Sequence, residues 1–77
     1  MNKGRRERLK KQLLLLEEMR EEIEAIRDEE QEAYDNLPEP LQDSERGERL
    51  EENIETLDNI LENLEPIAEE LDELAEG

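Results

Sequence analysis

Residues 36–44, Asn36-Leu37-Pro38-Glu39-Pro40-Leu41-Gln42-Asp43-Ser44, separate two periodic segments of a 77-residue chain. A residue that precedes proline avoids the α region, so the two prolines end a first helix near Asp35 or Asn36. Ser44 reads as an N-cap, with Glu45 and Glu48 placed where the helix dipole favours negative charge. Gly47 is expected to weaken that turn by roughly 1 kcal/mol relative to alanine. Outward from the connector, helices are expected over about Arg5–Asp35 and Glu45–Ala75. Each would be roughly 45 Å long at a rise of about 1.5 Å per residue. Equal lengths fit an antiparallel hairpin.

Periodicity supports both helices. Upstream, Leu9, Leu16, Ile23, Glu30 and Leu37 recur every seven residues. Met19, Ile26 and Ala33 interleave with them, Gln12 and Glu30 being polar interruptions. Downstream, Leu50, Leu57, Leu64 and Leu71 hold one row, and Asn53, Ile60, Ile67 and Leu74 the next. These are heptad seams. A third row, Ile54, Leu61, Ala68 and Ala75, widens the stripe beyond a two-stranded seam and suits a bundle. The expected fold class is all-α. It is a coiled-coil-like two-helix antiparallel hairpin forming one domain over residues 1–77, which dimerises into a four-helix bundle. Folding at the connector pairs residues whose numbers total about eighty, setting Leu9 against Leu71, Leu16 against Leu64 and Ile23 against Leu57. Glu30 would then meet Leu50, within reach of Arg46 and Arg49. Pro66 interrupts the second helix and predicts a kink or local break.

Composition narrows function. The chain carries 26 acidic and 10 basic side chains, net −16, and is 32% hydrophobic. With neither cysteine nor histidine, disulfides and the usual zinc, haem and iron–sulfur ligand sets are excluded. A chain this short is marginally stable alone, and self-association is the reinforcement left. Tyr34 is the one aromatic residue, so no stacking platform for bases exists. The basic start followed by Leu13-Leu14-Leu15-Leu16 is too short in its apolar run for a signal peptide, and no stretch approaches a membrane span. A cytoplasmic location is expected.

Candidate surfaces follow from the rows. Leu13 and Leu16 belong to the stripe, whereas Leu14 and Leu15 point outward. With Ile54, Leu61 and Ala68, these four leucines form the expected oligomer interface, since contiguous exposed leucine on a highly charged helix calls for a partner. Glu55, Asp58, Glu62 and Glu69 lie off the apolar rows, on a helix with no basic residue after Arg49. They form the candidate acidic face toward a partner. Arg5, Arg6 and Arg8 are candidate anion contacts within a basic start, Lys3 to Lys11, of six positive charges. That start is expected to neutralise Glu69 to Glu76 across the hairpin. Direct nucleic-acid binding is not expected, because residues 12–77 carry 25 acidic against 4 basic groups and repel a polyanion. Glutamate clusters such as Glu17-Glu18-Glu21-Glu22 read as solvated faces, since di-iron bundles need Glu-x-x-His pairs. Carboxylates also need a pocket before they do acid–base work. Neither catalytic residues nor cofactors are expected. Tyr34 is expected to plug the space beneath Leu37 and Leu41.

The stretch from Ile26 to Pro38, Ile26-Arg27-Asp28-Glu29-Glu30-Gln31-Glu32-Ala33-Tyr34-Asp35-Asn36-Leu37-Pro38, continues through Leu41-Gln42 and Ser44-Glu45-Arg46-Gly47-Glu48. It resembles a family of small acidic proteins, themselves uncharacterised, of Gram-positive bacteria and their phages. The resemblance covers roughly residues 20–65 and implies a helical hairpin in a phage or mobile-element context, with no activity attached. Three functional readings compete. In the first, a non-enzymatic hairpin oligomer engages a basic protein surface, in its strong form as a nucleic-acid mimic or phage-encoded inhibitor. The second is a structural scaffold that binds through its leucine seam. The third is an oligomer that captures a small anionic ligand at its basic N-terminal segment.

Overall fold

A computed structural model describes residues 1–77. Helix α1 spans Lys3–Asp35, a single turn α2 spans Glu39–Gln42, and helix α3 spans Glu45–Glu76. There are no strands. The long helices lie side by side and antiparallel, with principal extents of 58 × 15 × 12 Å. In its thinnest direction the molecule is one helix wide.

The caps explain the boundaries. Asn2 accepts a hydrogen bond from the Arg5 backbone N–H at 2.8 Å, which starts α1 two residues earlier than expected. Asn36 ends α1, its N–H donating to the Glu32 carbonyl. Ser44 caps α3 as expected, accepting from Gly47 N–H while its own hydroxyl donates to the Leu41 carbonyl. Between them, the Gln42 side chain donates to the Leu37 carbonyl at 3.3 Å and clips the connector shut.

Helix α3 runs through Pro66 without interruption, so of the expected kink or local break, no break occurs. Pro66 is exposed on the solvent side of the helix. Its ring therefore meets no neighbouring element, and water can satisfy the carbonyl left without a donor.

The seam also departs from expectation. In α3 the Leu50, Leu57, Leu64, Leu71 row is half-buried, as expected, but the row packed deepest beside it is Gly47, Ile54, Leu61, Ala68, Ala75. Ile54, Ala68 and Ala75 are 8, 5 and 2% exposed. The anticipated partner row, Ile60, Ile67 and Leu74, is 39, 46 and 51% exposed. Helix α1 does the same thing. Leu9, Leu16, Ile23, Glu30 and Leu37 face inward beside Arg6, Leu13, Arg20, Arg27 and Tyr34, while Met19, Ile26 and Ala33 face water.

Small residues decide which row is inside. A Cβ on Gly47 would lie 2.1 Å from the Gln42 carbonyl oxygen, so the connector fits against α3 only where no side chain stands. Ala68 and Ala75 similarly permit close approach along the same row. On α1 the opposing row carries arginines, which bury their aliphatic stems and keep their heads wet. The register shifts accordingly. Arg27 pairs with Asp58 and Asn53 with Glu30, so facing residues total 83 to 85 rather than about eighty. Leu9 and Leu16 are then level with Ala75 and Ala68 instead of Leu71 and Leu64, large against small.

Only four residues are buried, and no large side chain is fully enclosed. At about 1.5–3 kcal/mol for each large aliphatic side chain completely removed from water, so thin a core leaves the isolated hairpin marginal.

Candidate functional site: a two-sided hairpin

The shifted seam leaves the hairpin with two unlike sides. On one, α1 presents the Arg20, Arg27, Tyr34 row and α3 presents Glu51, Glu55, Asp58, Glu62 and Glu65. Shallow grooves lined by Glu17, Arg20, Glu21, Glu24, Leu61, Glu62 and Glu65, and by Gln31, Tyr34, Glu51, Ile54, Glu55 and Asp58, run along this side. Arg27 crosses the seam there. Its Nε donates to Asp58 Oδ1 at 2.9 Å, and its Nη1 lies 3.5 Å from Asp28. The hydrogen bond to Asp58 holds the Arg27 guanidinium above its ordinary pKa, opposed by desolvation and reinforced by the charges of Asp58 and Asp28. Arg20 pairs with Glu17 at 3.0 Å, within its own helix.

Tyr34 is half-buried beside Glu51. Hydrogen-bonding stabilisation of the phenol by the Glu51 carboxylate, with burial and the charges of Glu51, Asp43 and Asp35, pushes its pKa up to about 12. It does not plug Leu41, which is 48% exposed.

The expected acidic face divides into two parts. Glu55, Glu62 and Glu69 are exposed, whereas Asp58 is half-buried and committed to Arg27. Seven-residue spacing sets Glu55, Glu62, Glu69 and Glu76 in one row, with Glu51, Asp58, Glu65 and Asp72 beside it. Eight carboxylates thus line one side of α3. No group of three or more carboxylates converges as metal ligands would.

On the opposite side, α1 presents Arg5, Gln12, Met19, Ile26 and Ala33. The matching row of α3 is Arg46, Asn53, Ile60, Ile67 and Leu74. In a chain one-third acidic, these ten positions hold no carboxylate. The two rows meet across the seam, since Ile26 and Asn53 line one groove together with Thr56 and Leu57. Glu30 lines the same groove and accepts from the Asn53 amide at 3.1 Å. Glu30 shares another groove with Leu50, Arg46 and Arg49, as expected, but no ion pair closes between them. Arg49 instead sits 3.5 Å from Glu45, well exposed.

The expected oligomer interface is therefore redrawn. Ile54 and Ala68 are inside the hairpin, and Leu13, Leu16 and Leu61 are half-buried in its seam, because the small-residue row draws the helices together there. Leu14 and Leu15 are 66 and 55% exposed, as their spacing predicts, but on different sides of α1. Leu15 borders the acid-free rows, and Leu14 lies among the carboxylates.

The arginine trio does not converge either. Arg5 and Arg8 border an open groove of about 370 Å³ with Met1, Leu9 and Gln12. Arg6 turns elsewhere, donating to the Met1 carbonyl at 2.7 Å and lying against Gly77. No side-chain ion pair links the basic start to Glu69–Glu76, the four ion pairs all lying elsewhere. Helix α1 began with opposite charges facing α3, but the long, solvated side chains have little to gain by closing.

No helix is long and apolar enough to cross a membrane. Searches of protein families, curated proteins and solved structures find no match to the chain.

Proposed function

We propose that the protein is a non-enzymatic interaction module. Two hairpins pair into a four-helix bundle, and each turns its carboxylate-lined side toward a basic protein surface. The observation that carries the reading is charge segregation. Eight carboxylates line one side of α3, while the acid-free rows gather on the other. A face of one sign steers an oppositely charged partner and speeds encounter in a salt-sensitive way. In its strong form the carboxylate rows stand in for nucleic-acid phosphates, and the protein inhibits a DNA- or RNA-binding protein. The resemblance to acidic phage-associated proteins agrees with that form.

A thin core supports the pairing. With four buried residues, one hairpin leaves much of its aliphatic surface wet, and a second copy is the nearest source of cover.

A second reading, a scaffold that binds through leucine, is favoured by the exposure of Leu14 and Leu15. Anion capture gains less support, since the guanidinium of Arg6 is engaged with the Met1 carbonyl and Gly77.

Two variants tested on lysate partners separate the readings. The triple change Glu55→Lys, Glu62→Lys, Glu69→Lys should weaken capture and flatten its salt dependence, because such charges act mainly on association rate. Leu14→Ser with Leu15→Ser should leave that capture unchanged at concentrations where sedimentation shows the variant still paired. Partners retained in molar salt and by the lysine variant, but lost with the leucines, would transfer the function to the scaffold reading.

A further inference from the structure

We infer that the acid-free side of the hairpin, centred on Met19, Ile60 and Ile67, is the surface that receives a second copy of this chain, and that the two copies lie antiparallel. The inference rests on the pairing proposed above and assigns it a face.

Seven of the nine exposed large apolar side chains lie on this side. Leu14 and Leu41 are the exceptions. In register order, Leu74, Leu15, Ile67, Met19, Ile60 and Ile26 alternate between α3 and α1, forming one unbroken ladder along the seam. Each is 39 to 55% exposed. Together they present on the order of 500 Å² of apolar surface, at the upper end of what a solitary soluble protein leaves contiguous. With the uncharged Gln12, Asn53, Thr56 and Asn63, and with Glu22, Glu29 and Glu70 at its rim, the face approaches the roughly 800 Å² that each partner contributes to a stable protein–protein contact.

Charge identifies the occupant. A basic partner gains nothing from ten positions without a carboxylate when the other side offers eight. A copy of the same chain, net −16, can approach closely only where acids are absent. Charge also sets the direction. The free-end half, residues 1–20 and 64–77, holds seven basic and nine acidic side chains, net −2. The connector half, residues 21–63, holds three and seventeen, net −14. Parallel stacking would place −14 on −14. Antiparallel stacking places each strongly negative half over a nearly neutral one. With the axis near Met19, Arg5 and Arg8 then pass over Ala33 and Glu30 of the other copy, with Glu29 beside them. The ladder is centred near Met19, close to the middle of the hairpin, so a two-fold axis there overlays the ladder on itself.

Sedimentation equilibrium of the full chain tests the face. The wild type should be a dimer at micromolar concentration. Ile60→Asn with Ile67→Asn should weaken dimerisation by at least about 100-fold, with the helical circular dichroism of the monomer retained. Met19→Gln with Ile26→Gln should do the same from the other helix, and Leu14→Ser should change nothing. A dimer that persists in both double variants would overturn this face while leaving the pairing standing. A folded wild-type monomer would overturn both and give the face to another partner. Direction is read separately, since the chain has no cysteine. Arg5→Cys mixed with Ala33→Cys should give mainly the mixed product with a short bis-maleimide crosslinker. Preferential linking of each variant to itself would overturn the antiparallel arrangement.

Discussion

Gly47 carries opposite meanings at the levels of propensity and packing. Helix propensity says that alanine there should stabilise by about 1 kcal/mol. Packing says the reverse, because the new Cβ would stand 2.1 Å from the Gln42 carbonyl oxygen and 2.6 Å from its carbon. These are backbone atoms with no rotamer to yield. Gly47→Ala should therefore lower stability by about 1–3 kcal/mol, the usual cost of overpacking. Urea unfolding checks this, and a stabilised variant would show that the connector does not close on α3 as described. Tyr34 gives a second test at this scale. Its folded pKa is pushed up to about 12 from 10.0 by Glu51, burial and neighbouring acids. The folded state therefore holds the phenolic proton more tightly than the unfolded chain. The stability this represents is complete below pH 10 and is lost as pH rises toward 12. As the one tyrosine, it can be titrated by its phenolate absorbance, with a midpoint near 12 when folded and near 10 in denaturant. Tyr34→Phe should remove the destabilisation across that window. Neither feature was legible beforehand, since both depend on what the connector and α3 bring alongside.

The two long helices and, to within two residues, their ends could be read from particular residues, because their causes are local, whereas the turn α2 inside the connector was not expected. Two prolines, Ser44 and the heptad spacing all act within a few positions of themselves. Seam choice is not local. Leu9, Leu16 and Ile23 in α1, and the Leu50 to Leu71 row in α3, are flanked by usable rows on both sides, and apolar content favours the Ile60, Ile67, Leu74 side. The helices instead use the side with Gly47, Ala68 and Ala75, where backbones approach closely and arginine stems fill the gap. Rows counted by hydrophobicity alone invert that choice, and the candidate interface residues Ile54, Leu61 and Ala68 were misplaced with it. Pro66 leaves α3 unbroken for a related reason. Proline's cost depends on what faces it, and here that is water. Because α3 continues through the site, Pro66→Ala should restore one backbone hydrogen bond and raise stability by about 2–3 kcal/mol. Thermal denaturation of the two forms reads the difference. Equal or lower stability in the alanine variant would mean that the ring makes a contact the helix needs.

For the molecule as a whole, one charge pattern serves two purposes. Carboxylates gathered in two rows on one side of α3 leave the rows of Met19, Ile26, Ile60 and Ile67 on the other without them, so the surface that attracts a basic partner and the surface that accepts another copy are kept apart. Total charge was plain in the composition, but its division into sides required the seam to be known. The two contacts should respond to salt in opposite directions. Binding of a basic partner should weaken as salt screens the attraction. Self-association is apolar and opposed by the net repulsion of two chains at −16 each, so it should strengthen. The decisive measurement is the dimer dissociation constant of the unmodified protein, taken by sedimentation between about 0.05 and 1 M salt, where the screening length falls from over 10 Å to about 3 Å. A constant that tightens steadily across that range is the predicted result. One that loosens would mean that ion pairs, not the acid-free face, hold the copies together.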